Sequence, residues 1–319
     1  MMLPPRDPDD PRNGPILLRP DLLAEGWHDR AIARMLSRKA WVRLRNGAYV
    51  PASAWESLTD AERHGLRARA VQRQARTRVV LSHVSGLVEY DTPTWGLDLS
   101  DVHVTRLDGR AGRREAGVVQ HCGVVEEEDV VCRNGVDVMT ATRLALEVTT
   151  VTDVEASLAV VNHLLHCGAT TRLALEQRYA GMERWPRTLS TDLVLRLADG
   201  RAESVGESRC FHFFFRQGFP MPELQHEVRD SSGEVVARVD FAWPELGVYL
   251  EFDGKVKYEK HLRPGERASD VVVREKRREE MIYRLTGWRC IRLTWADLER
   301  PERTAAWIRA VLFPPLAAA

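Results

Sequence analysis

The stretch Val236–Tyr258, VARVDFAWPELGVYLEFDGKVKY, decides how the last third of the chain is read. Val239, Phe241 and Trp243 alternate with polar or small residues, which is the period of a half-buried strand. Pro244–Gly247 supplies a turn. The apolar run Val248-Tyr249-Leu250 then begins a second, more buried strand, but it ends in Glu251-Phe252-Asp253-Gly254-Lys255. Residues two apart on a strand share a face, so Glu251, Asp253 and Lys255 point the same way, and Asp240 on the hairpin partner can lie alongside. Three carboxylates in one place repel unless protons or a cation compensate them. A hard divalent ion such as Mg²⁺ or Mn²⁺ suits carboxylate oxygens and can activate water or stabilise charge on a phosphate. The bland alternative is that the acids bind neighbouring charges or cap a turn, for which Asp253-Gly254 is well suited.

The flanking segments extend this reading. The helical stretch ESVGESRCFHFFFRQ precedes the hairpin, with Glu203 and Glu207 four apart on one face, and Phe211–Phe215 continue it as core. After the hairpin, VVREKRREEMIYRLTGW forms a charged helix stopped at Gly287. RCIRLTW is a closing strand and ADLERPERTAAWIRAVL a last helix. Lys276, Arg277 and Arg278 on the charged helix are placed to meet phosphate. The order helix, strands, helix, strand, helix predicts an α/β unit with a mixed sheet.

Glu207, Asp240, the Glu251-x-Asp253-Gly254 element and then EKRREEMIYRLTGWRCIRLTWADL together resemble the PD-(D/E)XK nuclease superfamily. They look closest to its branch related to very-short-patch-repair endonucleases, over about residues 200–312. The resemblance implies a restriction-endonuclease-like fold that hydrolyses phosphodiester bonds with Mg²⁺ or Mn²⁺. Asp240 would be the first metal-binding aspartate, Glu251 the second acid and Glu207 the helix glutamate. The superfamily lysine belongs two residues after the second acid, where this chain has Asp253. Either the register shifts, making Asp253-Gly254-Lys255 the acid-x-Lys element, or Lys255, Lys257 or Lys276 reaches the same place. Lys257, Lys276 and Arg277 are the phosphate contacts expected around that site.

The front of the chain carries a second signal. Asp21 heads a short helix through Leu22-Leu23-Ala24. A second helix, about Asp29 to Arg38, has Ile32, Met35 and Leu36 on one face and Arg30, Arg34 and Arg38 on another. WVRLRNGAYV then reads as a hairpin around Asn46-Gly47, a strong short-range hairpin signature. Two helices and a hairpin outline a winged helix-turn-helix, in which one helix enters the major groove and the wing touches the backbone. Arg30, Arg34, Arg38, Lys39, Arg43 and Arg45 are the expected DNA contacts. A solvated helix face beside a structural hairpin is the competing reading. The stretch LLAEGWHDRAIARMLSRKAWVRLRNGAYV, with LSHVSGLVEYDTP and VHVTR further on, resembles the N-terminal winged-helix domain of AbiEi-type antitoxins of type IV toxin–antitoxin systems, to about residue 105. The resemblance implies DNA binding and transcriptional repression, a place in phage defence or a toxin–antitoxin pair, and a cognate toxin as a partner. A non-catalytic regulator with a degenerate nuclease fold is then the alternative to an endonuclease.

Between the two ends, Thr59 or Asp60 caps a long helix decorated by Arg63, Arg67, Arg69, Arg73 and Arg76. TRVVLSHVSGLVEY is a buried strand leading into a short helix. Val102–Val138 reads as a small sheet, and Thr140 caps ATRLALEVTTV. His83 sits between Ser82 and Ser85, but no third catalytic member or oxyanion loop accompanies it, and a capping or core role is expected. His226 and His261 have no ligand-like spacing. The whole is expected to be α/β (α+β overall), with 1–18 a disordered lead, 19–52 the winged helix-turn-helix, 53–190 a mixed α/β middle and 191–319 the endonuclease-like sheet with flanking helices. With 319 residues and 44% hydrophobic content the chain can build proper cores, and 46 basic against 46 acidic residues name no partner by net charge. Five dispersed cysteines form no CxxC pair and fit a reducing interior. The Pro- and charge-rich start lacks a signal-peptide core, and no apolar run reaches membrane length. The expectation is a cytoplasmic protein with no membrane contact and no small-molecule cofactor.

Overall fold

The computed structural model describes residues 10–182, 185, 187–254 and 268–314. The chain forms two compact units, Met1–Arg196 and Leu197–Ala319, so the division falls a few residues after the expected 190. Helices and mixed sheets in both units make the fold α/β, of the α+β kind overall. No helix among the described residues is long and apolar enough to cross a membrane.

The first unit opens earlier than the sequence indicated. A 3₁₀ turn at Pro11–Asn13 is followed by β1 (Leu17–Leu18), which pairs with β3 (Ala48–Pro51). Residues 10–18 are therefore not a disordered lead: Ile16 and Leu18 are core residues, and burying them outweighs the cost of ordering so short a segment. Helix α1 (Arg19–Ala24) starts before Asp21, because Pro20 fits the first helical turn. Helix α2 (Asp29–Ser37) is capped by the His28 ring, which accepts from Ala31 N. β2 (Trp41–Arg45) and β3 form the expected hairpin, and Gly47, at φ +73°, takes the left-handed conformation that its turn requires. Leu22, Ile32, Trp41 and Tyr49 form a core under α1 and α2.

After the short α3 (Ala52–Trp55), α4 (Asp60–Gln74) begins in a capping box between Thr59 and Glu62. One side of α4 gives Leu66 and Ala70 to a core shared with Leu44, Ala48 and Val50 of the hairpin. His64 and Arg69 are buried elsewhere on it. Arg69 thus does not decorate a solvated face as expected; its guanidinium pairs with fully buried Glu89. A six-stranded sheet follows in the order β6-β7-β5-β4-β9-β8, built from β4 (Val79–Leu81), β5 (Val102–Arg106), β6 (Arg113–Glu115), β7 (Val118–His121), β8 (Val130–Arg133) and β9 (Val136–Met139). Helices α5 (His83–Leu87), α6 (Ala141–Val148), α7 (Val154–His166), α8 (Arg172–Ala180) and α9 (Leu189–Leu197) accompany it. Thr140 caps α6 as expected. Buried Arg143 on α6 bonds Glu147 and Asp129, and Arg178 reaches Asp129 as well.

The second unit contains α10 (Val205–Arg216), β10 (Glu223–Arg229), β11 (Val235–Trp243), β12 (Val248–Asp253), α11 (Ala268–Thr286), β13 (Arg289–Thr294), α12 (Trp295–Leu298) and α13 (Pro301–Leu312). The sheet order is β10-β11-β12-β13; the first two pairings are antiparallel and β12–β13 is parallel. Phe214 of α10 meets Phe241 and Trp243 edge-on, while Tyr249 packs with Ile282 of α11. The expected single last helix is two, because Pro301 has no N–H to continue α12 and starts α13 instead.

Candidate functional site

The acids of the second unit occupy successive elements. Ser204 caps α10: its hydroxyl accepts from Glu207 N and donates to Glu207 Oε1 at 2.7 Å, while Glu203 N donates to Glu207 Oε2 at 2.9 Å. Glu203 therefore precedes the helix instead of sharing a helical face with Glu207; its carboxylate pairs with Arg238. Glu207 is buried, and Gln225 Nε2 donates to its Oε2 at 2.8 Å. Gln225 lies in β10 between Leu224, opposite Phe241, and His226, opposite Val239. That register sets it level with Asp240. Its φ of +51° is unusual for a strand residue and marks a local break in the pleat at this level.

Asp240 Oδ2 accepts from Phe252 N at 2.8 Å. The carboxylate takes a ladder position just beyond the Phe241–Leu250 pair, which sets Asp240 beside Glu251 across the two strands. Glu251 Oε1 accepts from Arg278 Nη1 of α11 at 2.5 Å, and the other arm of that guanidinium donates to Arg238 O. Burial works against the Arg278 charge, and Glu251 more than offsets it, so the group is held firmly protonated. On the other side β13 sets Arg292 beside Glu251 and Thr294 beside Asp253. Tyr249, one face-repeat before Glu251, is pushed far above the usual phenol range by burial and by its bond with Cys290, and stays neutral.

Glu207, Asp240 and Glu251 thus line one level of the sheet, with Gln225 bridging the first two elements and Arg278 closing the far end. Among the described residues, no three of Glu207, Asp240, Glu251 and Asp253 bring carboxylate oxygens within 4.8 Å of one another. The donors match a hard cation in kind, with Asp240 and Glu251 the adjacent pair and Glu207 held apart by Ser204 and Gln225. Lys255 and Lys257 lie outside the described residues. Lys276 and Arg277 are exposed on α11 and Arg278 turns inward, so the cation beside the second acid is an arginine. The sequence singled out Arg278 only as a phosphate contact and did not single out Gln225 at all.

On the winged helix, Arg30, Arg34, Arg38, Lys39 and Arg43 are exposed and Arg45 is half-buried. Lys39 has a φ of +57°, which turns the chain from α2 into the hairpin. Among the described residues the side chains of Arg30, Arg34, Arg38, Lys39 and Arg43 form no ion pair, whereas Arg19, Arg63, Arg73 and Arg78 of the same unit all do. Lys39 and Arg43 also line an open groove with Leu36, Trp41, Trp55 and Glu56.

His83 is buried as expected, but it is not alone. Its ring stacks on His121 with centroids 3.6 Å apart, and His103 Nδ1 lies 2.9 Å from His121 Nε2. His103 and His121 come from β5 and β7, and no spacing in the sequence links them to His83.

No protein-family model matches the chain. Two curated proteins of Mycobacterium tuberculosis, both described as uncharacterized, one from strain CDC 1551 / Oshkosh and one from strain ATCC 25618 / H37Rv, are each 32% identical to it over 153 residues. The match covers 48% of this chain and 53% of each relative, so the chain spans about half the length of the curated relatives it matches.

Proposed function

We propose that this is a DNA-binding protein whose second unit is a PD-(D/E)XK-type nuclease domain. The observation that carries the reading is the level arrangement of Glu207, Asp240 and Glu251, on a helix and two successive strands, with the Asp240 carboxylate inserted between β11 and β12 at Phe252 N. Asp240 and Glu251 would hold a Mg²⁺ or Mn²⁺ ion, which supplies Lewis-acid activation of water and of the scissile phosphate. Phe252 N–H fixes the orientation of Asp240. Gln225 and Ser204 hold the two oxygens of Glu207 in place. Arg278 replaces the superfamily lysine as the cation nearest the second acid; a guanidinium does not give up its proton, so it stabilises anionic charge and does not act as a base. Arg30, Arg34, Arg38, Lys39, Arg43 and Arg45 hold duplex DNA, with Lys257, Lys276 and Arg277 as further phosphate contacts on the second unit. Asp253 and Lys255 remain the alternative acid-x-Lys pair. The cytoplasm, and a cognate toxin encoded as a partner, belong to the same reading.

The second reading is a non-catalytic repressor of the antitoxin class, and the Arg278–Glu251 ion pair favours it, since that pair already neutralises one of the two adjacent acids. Supercoiled plasmid incubated with the full chain and Mg²⁺ or Mn²⁺, beside Asp240→Asn and Glu251→Gln, separates the two. Cleavage that both substitutions abolish is the expected result. Intact DNA with undiminished binding selects the repressor and removes the nuclease reading.

A further inference from the structure

The three clustered imidazoles of the first unit stand apart from every role assigned above. His83 opens α5, His103 lies on β5 and His121 ends β7. Thr105 pairs with His121 in the parallel β5–β7 register, which brings His103, two residues earlier, to the same face as His121. The nitrogens that the three rings offer all lie within 4.8 Å of one another. We propose that His83, His103 and His121 form a binding site for a divalent transition metal of the Zn²⁺ class, independent of the Mg²⁺ site of the second unit.

Two features support the assignment. First, the spacing suits the ligand set. Tetrahedral zinc with Zn–N bonds of about 2.0–2.1 Å holds its ligand nitrogens about 3.3 Å apart. His103 Nδ1 and His121 Nε2 are 2.9 Å apart, so a small outward shift of that pair admits the ion in place of the proton it shares, and His83, whose ring lies flat against His121 with centroids 3.6 Å apart, completes the set by turning its ring to aim a nitrogen at the same point.

Second, the backbone holds the cluster at a cost. His83 adopts φ +49°, and buried Glu147 of α6 pins it by accepting from His83 N at 3.0 Å. His83 Nδ1 is 3.1 Å from Ser82 Oγ, with Glu147 Oε2 behind it at 3.6 Å. A carboxylate behind a histidine is the usual outer partner of a metal-bound imidazole, where it fixes the ring and strengthens the ligand. His83 is buried while His103 and His121 are half-buried, which leaves solvent a path for the ion and for a fourth ligand such as water. Imidazole nitrogens select Zn²⁺, Co²⁺ or Ni²⁺ and reject Mg²⁺, so the ion held here differs from the one proposed for Asp240 and Glu251.

The test is Co²⁺ titration of the chelator-treated full chain, followed by the visible absorption of low-symmetry Co²⁺, with Zn²⁺ and Mg²⁺ as competitors. The expected result is saturable uptake of one ion per chain, displaced by Zn²⁺ and not by Mg²⁺. It is lost in His103→Ala and His121→Ala and weakened about 10–100-fold in Glu147→Gln. The pair variant His163→Ala/His166→Ala, on α7, leaves it unchanged. Each variant is checked by its melting curve. Should an alanine variant fail to fold, His121→Gln takes its place, and a rise in the melting temperature of the wild-type chain with Zn²⁺ that this variant lacks gives a second readout. The proposal is overturned if the wild-type chain takes up no stoichiometric Co²⁺, or if folded His103 and His121 variants bind it as tightly as wild type. Because nothing in this assay depends on DNA or on cleavage, its outcome is separate from that of the nuclease reading.

Discussion

Gly206→Ala tests how the carboxylate level of the second unit is held in place. Gly206 is the second residue of α10, and a Cβ built there would stand 2.0, 2.2 and 2.6 Å from Cε1, Cδ1 and Cζ of Phe252. An ordinary carbon–carbon contact is about 3.5–4.0 Å, so helix or ring must retreat by roughly 1.5 Å. Neither moves freely. Phe252 is 4% exposed and its ring meets Trp295 edge-on at 5.0 Å, and α10 is fixed at this end by the Ser204–Glu207 cap. Overpacking of a core costs about 1–3 kcal/mol, and three ring atoms inside 3 Å put this case at the upper end. Alanine returns up to about 1 kcal/mol of helix propensity over glycine. The net loss is about 2 kcal/mol, and for a unit of this size the melting temperature falls by about 8 °C. Calorimetry of the full chain reads it as a shift of the second unit's transition with the first unchanged. Phe252→Leu in the Gly206→Ala background recovers about 1 kcal/mol or more, a non-additivity that contacting residues produce. A Gly206→Ala protein that melts at or above the wild-type temperature would refute the α10–β12 packing, and with it the fixed placement of Glu207 relative to Glu251.

Arg34→Ala with Arg38→Ala weakens duplex binding and flattens the plot of log affinity against log salt by about 2, near 0.9 per lost phosphate contact; fluorescence anisotropy at several salt concentrations measures it, and an unchanged slope removes the α2 assignment. Arg278 and Glu251, both mostly buried, couple by about 1–2 kcal/mol in a double-mutant cycle with Arg278→Met and Glu251→Gln, read from denaturant midpoints; zero coupling contradicts the pair. Asp129→Asn costs the first unit about 3–5 kcal/mol, because buried Arg143 loses a countercharge, and a thermal melt within a degree of wild type would exclude it. His64 is lowered from its ordinary value chiefly by burial. A histidine held neutral by folding contributes stability above about pH 6.5 that is lost as pH falls below it, so the first unit's melting temperature drops from pH 7 to pH 5 and His64→Leu makes the drop shallower.

The hairpins and helix starts were readable because their signals are local. Asn46-Gly47 set the wing, Thr59 and Thr140 capped α4 and α6, and the alternation of Val239, Phe241 and Trp243 marked β11. The order of Glu207, Asp240 and Glu251 along the chain was likewise plain. Their occupation by Ser204, Gln225 and Arg278 was not, since each partner comes from a separate element or from a capping geometry that residue spacing does not encode. Buried arginines were the other blind spot. Arg69 reads as one of a solvated arginine series until Glu89, twenty residues on, is brought beneath it, and Arg143 hides in the same way until Asp129 does so. The histidines of the first unit converge only through the β5–β7 register and the α5 turn. Residues 10–18 were misread because a Pro- and charge-rich opening conceals two anchoring apolar side chains, Ile16 and Leu18.

Helix α4 carries a consequence for how the end of the chain proposed to bind DNA can operate. Leu66 and Ala70 complete the hairpin's core, while His64 bonds Ser85 of α5 and Arg69 grips Glu89. One rod is therefore the common wall of two rooms, and the hairpin with its two helices has no swivel of its own. A graft that carries only α1, α2 and the hairpin would leave that wall behind, so moving this end of the protein intact requires the cut to fall after α4 and the strand it leads into.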